Sequence, residues 1–459
     1  MFTKEVYVQR RNELKTLVGS GTVILMGNGE AALNYRGNPY TFRQDSSFIY
    51  YIGLDTPDLA YVLDIDNDRE FLVGDELTID DIIWMGNLPS LQERAAAVGI
   101  TEVVPTAQFA TLVGSNPTVH YLRPYRYRNQ AILAELLNRS LDEIAAQYSI
   151  PLTKAIIKMR LIKSEIEMVE LRDAGRIGYA MHITAMKMCQ PGISEREIAG
   201  MMEGIAISAG NRVSFATILS MNGQILHNHD HSQTLAPGRL MLTDAGAENV
   251  NYYSSDFTRT TAVGGNYTQK QAEIYDIVLK AINASIDMAK PGITYKSVHR
   301  NAYRIIFEGL RDLGLVTGNT EEALEAGVPG LFMPHGLGHA MGIDVHDMED
   351  LGETLVGYDD EITRDTLFGY ASLRFGKRLE VGHVVTVEPG IYFVPQLIAK
   401  WKREKTCADF IRFDRLEDYL DFGGIRLEDD IVITPSGCEL VYPKRLPITI
   451  EEVQSAVND

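Results

Sequence analysis

The stretch MCQPGISEREIAGMMEGI begins at residue 188, and MAKPGITYKSVHRNAYRI begins at residue 288. Each reads as a helix end, a Pro-Gly stop, and then Ser194 or Thr294 as the N-cap of a second helix. Proline cannot continue the first helix, and glycine supplies the backbone freedom that turns the chain. Glycine-broken, strand-like stretches follow both copies. They are ATILSMNGQILH and MLTDAGAENV after the first, and VVTVEPGIYF and GGIRLEDDIVIT after the second. Such a repeat is expected to fold as two similar α/β halves around one shared site.

Residues 1–150 have a different texture. GTVILMGN, SFIYYIGL, LAYVLDID and REFLVGDE read as strands, and QERAAAVGI and NQAILAELLNRSLDEIAAQY as helices. Longer helices begin after Pro151, the first opening on a capping box of Ser164 and Glu167. A boundary near residue 155 is expected, giving domains 1–155 and 156–459. A chain of 459 residues accommodates two cores.

Bulk properties exclude several classes of function. A net charge of −19 opposes binding to nucleic acid or anionic membranes, which need a basic footprint. Cys189, Cys407 and Cys438 are odd in number and far apart, so neither a disulfide framework nor a C-x-x-C metal knot is indicated. The charged, amphipathic start MFTKEVYVQRRNELKTLV is unlike a signal peptide, and no long apolar run suggests a membrane span. Cytoplasm is the expected location.

FMPHGLGHAMGIDVHD, residues 332–347, crowds histidines, Asp344 and Asp347 among glycines. His335 and His339 have the spacing of a zinc helix, but Leu337 and Gly338 sit between them and no glutamate follows His335. Two glycines in one turn would cost a helix roughly 1 kcal/mol each. Gly336, Gly338 and Gly342 are also one residue too widely spaced for a dinucleotide loop. An irregular strand or loop with close backbone approach is expected, with further ligands elsewhere.

Those ligands are carboxylates in apolar surroundings. Asp244 follows LMLT, Asp256 precedes FTRTTAV, Glu388 ends VVTV, and Glu428 sits in GIRLEDDIVIT. Each alone reads as a salt bridge or turn cap; together they would repel one another unless cations lay between them. With one histidine, two divalent ions would balance the set. One nitrogen among many oxygens suits Mn²⁺, with Co²⁺, Fe²⁺ or Zn²⁺ as replacements. Two such ions can generate a hydroxide nucleophile and polarise a carbonyl, the chemistry of a hydrolase.

Assembled in order, DAG with Asp244, DFTRT with Asp256, HGLGHAMG with His339, TVEPG with Glu388 and GIRLEDD with Glu428 resemble the pita-bread metallopeptidases of the prolidase and aminopeptidase P group. FRQDSSFIYYIGL and IIWMG extend the resemblance into the N-terminal, creatinase-like domain. It implies an α/β (α+β) chain whose second domain is a pita-bread fold of two pseudo-symmetric halves. It also implies cleavage of Xaa-Pro bonds in a proline-containing di- or oligopeptide. Asp256 and Glu428 would bridge two metals, Asp244 would complete one, and His339 with Glu388 the other. Glu388 would also shuttle the proton from the attacking water to the proline nitrogen. His227 would face the substrate, His346 would donate to its carbonyl oxygen, and His335 would support the proline ring. Arg426 would hold ligands from behind the substrate pocket. His229 and His231 read as a solvated polar loop.

Arg374, in SLRFGKRLEVGHVVTVEPG, resembles the prolidase arginine that grips a dipeptide's terminal carboxylate, and the insertion between Tyr392 and Gly423 is also prolidase-like. The acidic DMEDLGETLVGYDDEI (347–362) departs from that pattern, and an altered lid there could admit longer peptides. Prolidase is therefore the leading expectation and aminopeptidase P the alternative; a non-catalytic binding module would be expected to lose ligands that this chain retains. The resemblance further implies a homodimer, with Trp84 as the wall offered to a partner's site.

Overall fold

The computed structural model describes residues 2–114 and 117–458. The chain forms two compact units, Met1–Arg160 and Leu161–Asp459, dividing in the last turn of the helix Ile150–Leu161.

The first unit is built on a mixed five-stranded sheet. Its order is Glu102–Val104, Arg69–Val73, Ala60–Asp64, Thr22–Met26, Val119–Tyr121. The three central strands pair antiparallel, and each edge strand is added parallel. Ile24, Val62, Phe71 and Tyr121 project from it into a core closed by Leu133 and Ile144.

Two local expectations fail here for identifiable reasons. SFIYYIGL is not a strand but the helix Ser46–Ile52. Asp45 caps it, accepting from the Phe48 N–H at 2.8 Å, and Gly53 ends it at φ 73°. Its apolar residues are buried nearly all round, which erases the periodicity that separates helix from strand. NQAILAELLNRSLDEIAAQY is two helices, Tyr127–Leu137 and Leu141–Ala146. Asn138 turns left-handed at φ 49°, and Ser140 starts a new helix through a capping box with Glu143.

The second unit carries the repeat. Glu165–Met188 and Glu195–Ala209 form the first helix pair, and Gln269–Met288 and Tyr295–Asp312 the second. Gly192 (φ 92°) and Gly292 (φ 87°) make the turns, and Ser194 and Thr294 cap the helices that follow. Each turn is then clamped by a later segment in the same way. Gly192 N–H donates to Leu235 O at 2.9 Å while Leu235 N–H donates to Ile193 O at 2.8 Å. Gly292 and Leu379 repeat the first bond at 2.9 Å, and Leu379 and Ile293 the second at 2.8 Å. The second half differs mainly by a longer excursion before its clamp, which includes the histidine segment and the acidic stretch.

The halves supply one three-stranded sheet each: Phe257–Ala262, Leu240–Ala245, Ile218–Ser220, and Val384–Val387, Asp429–Thr434, Gly437–Leu440. An isolated bridge between Thr258 and Glu428 joins them. Ile177, Met181, Met202, Leu219 and Met241 pack the first half behind its sheet. Among the described residues, no helix is long and apolar enough to cross a membrane.

Candidate metal centre

Strand register lines up the carboxylates. Asp244 pairs with Ile218 on one side and Thr258 on the other, and Thr258 bridges to Glu428. Side chains at such partners project to the same face of a sheet, so this row aims Asp244 and Glu428 at one space. Asp256 stands two residues before Thr258, and alternation puts it on that face too. Glu388 follows the strand Val384–Val387 of the other half.

The histidine segment runs beside this last strand as an irregular lane. Thr386 N–H donates to His339 O at 3.0 Å, Glu388 N–H to Leu337 O at 2.8 Å, and Met341 N–H to Val384 O at 3.1 Å. Its glycines are there for close approach. A Cβ at Gly338 would lie 2.1 Å from Thr386 O, and one at Gly336 would lie 2.7 Å from the Leu373 Cα. Asp347 has a separate role: its carboxylate pairs with Lys163 Nζ at 2.9 Å, both side chains buried, and so pins the end of the segment.

These elements enclose a cavity of about 280 Å³ lined by Asp244, Asp256, His339, Glu388 and Glu428, together with His227, His335, His346 and Arg426. Asp256, His339 and Glu428 offer ligand atoms that all lie within 4.8 Å of one another. His339 Nε2 is 3.4 Å from Asp256 Oδ2 and 3.8 Å from Glu388 Oε1. His339 Nδ1 faces the Ala340 carbonyl at 3.1 Å, which can only accept, so Nδ1 bears the proton and Nε2 turns a lone pair to the cavity.

Two features fit this set to cations. Oδ1 of Asp244 and Oδ1 of Asp256 are buried without a hydrogen-bond partner. Burial, reinforced by the neighbouring Glu428 and Asp244 charges, pushes the Asp256 carboxyl well up, and burial with Glu388 and Asp244 does the same to Glu428. Burial also raises Glu388, against the pull of Arg426. Carboxylates so crowded either hold protons or share positive ions.

The basic groups are arranged around them. Arg426 is buried, donating to Asp244 Oδ2 at 2.5 Å, to the Tyr392 hydroxyl at 2.7 Å and to Thr258 Oγ1 at 3.1 Å. Tyr392 in turn lies 2.9 Å from His335 Nε2, and His335 Nδ1 lies 2.7 Å from Gly336 O. Burial and the nearby Arg426 push His335 down to about 3, so it is a neutral ring in a fixed orientation. His346 stacks edge-on against His339, ring centres 4.1 Å apart.

Several site neighbours were absent from the sequence reading. Tyr392 links Arg426 to His335; Thr258 donates to Glu428 Oε2 at 2.7 Å, and Thr386 Oγ1 lies 3.4 Å from Glu388 Oε1. For Thr258 and Thr386 the signal is alternation, each being a polar residue two positions from a ligand; Tyr392, four beyond Glu388, has no such signal. His229, expected in a solvated loop, is exposed but lines the cavity; His231 turns away, its Nδ1 3.0 Å from Leu219 O. Arg374 stands beside His346 outside the lining residues, its Nη1 2.8 Å from His346 Nε2.

Residues 169–435 match metallopeptidase family M24, and residues 7–118 match the N-terminal domain of aminopeptidase P. The chain belongs to family M24. This M24 chain is 30% identical to the human Xaa-Pro dipeptidase, covering 96% of itself and 89% of that protein. It is 32% identical to a probable Xaa-Pro aminopeptidase of Aspergillus clavatus, covering 95% and 92%. Among solved structures, the aminopeptidase P II of Yersinia pestis superposes with a TM-score of 0.82 at 27% identity, covering both chains fully. Aminopeptidase PepP of Pseudomonas aeruginosa gives 0.82 at 25%, covering 100% of this chain and 98% of that one. Dipeptidase and aminopeptidase relatives match at 30% and 32% identity, a difference too small to choose between them.

Proposed function

We propose that this M24 protein is a dinuclear metallopeptidase that hydrolyses the Xaa-Pro bond and releases the N-terminal residue, with Xaa-Pro dipeptides as its main substrates. The observation that carries the reading is the single cavity in which Asp244, Asp256, His339, Glu388 and Glu428 face His227, His335 and His346. Asp244, Asp256, His339, Glu388 and Glu428 would hold the two ions, with Asp256 and Glu428 shared between them. Two divalent cations, Mn²⁺ by the oxygen-rich donor set, would supply Lewis acidity and lower the pKa of a bound water.

The chain's own residues do the rest. Glu388 has the most exposed side chain of the ion-paired carboxylates facing His339, 18% against 6% for Asp256, so water and substrate can reach it. It takes the proton of the attacking water as oxygen bonds to the carbonyl carbon. It then gives that proton to the prolyl nitrogen as the C–N bond breaks, because an imide nitrogen leaves only when protonated. His346 would donate to the carbonyl oxygen from Nε2, which must turn from Arg374 Nη1 to do so, and His227 lines the substrate side. His335, fixed by Tyr392, forms the wall for the proline ring. Arg426 acts from behind, holding Asp244 and orienting Tyr392.

Chelation should abolish hydrolysis of Gly-Pro and Mn²⁺ should restore it; full activity after exhaustive chelation contradicts the reading. A second reading, aminopeptidase P activity on longer peptides, is favoured by the carboxylates already around Arg374: Glu349 at 3.4 Å and Glu353 at 3.3 Å. Comparing Ala-Pro with Ala-Pro-Ala separates the two. For assembly, the proposal is a homodimer through the N-terminal unit, where Ile79–Met85 is a helix with no buried residue. Three free cysteines suit a reducing compartment such as the cytoplasm.

A further inference from the structure

Glu349 lies where two interactions meet at the edge of the site. Its Oε2 is 2.5 Å from His346 Nδ1 and 3.4 Å from Arg374 Nη1. Glu353 Oε1 takes the other edge of the same guanidinium, 3.3 Å from Nε. Arg374 therefore already has a carboxylate on each of two nitrogens, while a bidentate grip on an incoming carboxylate needs two parallel N–H groups.

The turn that presents Glu349 is built rather than loose. Met348 adopts the left-handed region at φ 63° with its side chain buried, and Gly352 N–H donates to Glu349 O at 2.9 Å. Glu353 is also paired with Arg364 and Glu349 with His346, but Glu349 has the more exposed side chain, 41% against 23%. Of the two, Glu349 is the one an anion can displace.

The geometry points to Glu349 as an internal competitor for the substrate's terminal carboxylate at Arg374, a specificity-determining residue that weakens the preference for dipeptides. The inference rests on the Xaa-Pro reading above. A dipeptide carboxylate reaching Arg374 exchanges one carboxylate for another instead of filling an open guanidinium. A longer peptide, with a neutral amide at that point, leaves the Glu349 contact in place and forfeits little. Dipeptide selectivity is then set by the difference between two anions on one cation.

The test uses Gly-Pro and Gly-Pro-amide, which differ only in that charge, on the full-length Mn²⁺-loaded protein. Glu349→Gln should raise the ratio of kcat/KM for Gly-Pro over the amide by roughly two- to fivefold, the range of a partly exposed ion pair, through KM and not kcat. Arg374→Ala should lower the ratio, and adding Glu349→Gln to Arg374→Ala should leave it there. A gain that persists without Arg374 reports through-space repulsion and overturns the proposal. A fall in kcat for both substrates overturns it as well, since Glu349 would then act on His346. Calorimetric titration of the metal-free wild type and Glu349→Gln with both ligands reads the same ratio in Kd without turnover. An unchanged Kd ratio overturns the inference, whereas a changed ratio in a protein that hydrolyses neither ligand defeats only the Xaa-Pro reading.

Discussion

Arg426 and Asp244 form a buried pair that joins the two halves, Nη2 of Arg426 on the strand Gly424–Arg426 donating to Oδ2 of Asp244 on Leu240–Ala245 at 2.5 Å. The same guanidinium also holds Tyr392 and Thr258, so three groups of the site depend on one planar fork. Lysine cannot reproduce that geometry. Arg426→Lys should therefore weaken metal binding by about 10- to 100-fold, as loss of a ligand-orienting partner typically does. Metal content after dialysis against graded chelator measures it; unaltered retention would show that Asp244 needs no such support.

The repelling carboxylates make opposite predictions for the metal-free and loaded protein. Asp256 is buried among Glu428, Asp244, Asp430 and Glu388 charges, which raises its pKa. Asp256→Asn should raise the Tm of the chelated protein near neutral pH by removing a source of repulsion. It should also abolish the Tm increase on adding Mn²⁺, which for the unmutated chain is about 2.7 kcal/mol of stability at a hundredfold excess over Kd. Differential scanning calorimetry with and without metal checks both signs.

Buried histidines set an acid limit on stability. Burial pushes His299 down to about 3, and its Nδ1 accepts the Leu337 N–H at 3.2 Å as a neutral ring. Unfolding restores an ordinary value near 6.5, so between about 6.5 and 3 the unfolded chain binds the extra proton and stability falls as pH falls. Each such group contributes about 1.4 kcal/mol per pH unit once fully below 6.5. His299→Gln should flatten the decline between pH 6 and 4 in urea melts, relative to the unmutated chain.

The helix Ile79–Met85 exposes Ile79, Ile83, Trp84 and Met85 by 69–83%. Contiguous apolar surface of this kind is normally covered. Ile83→Glu with Trp84→Glu should convert a dimer to a folded monomer in sedimentation velocity. A protein that is already monomeric at micromolar concentration contradicts the assembly proposal.

Local chemistry was legible in the linear chain. Pro191-Gly192 and Pro291-Gly292 announce both helix stops, because proline and glycine act on the backbone of their own residues. The carboxylates Asp244, Asp256, Glu388 and Glu428 stood out because charge inside an apolar strand needs compensation, whatever the fold. What the sequence could not say is which groups meet. Asp244 reaches Arg426 through the register of Asp244 with Thr258 and of Thr258 with Glu428, a long-range pairing with no local signature. SFIYYIGL shows the same limit at short range: burial on all sides removed its periodicity, and only Asp45 and Gly53 marked the helix. Arg374 shows it at the site, where the partners of an arginine in a charged segment cannot be read from the sequence. The tertiary fold alone brings Glu349 and Glu353 to it, because contacts between side chains depend on how the backbone returns, not on the residues' own chemistry.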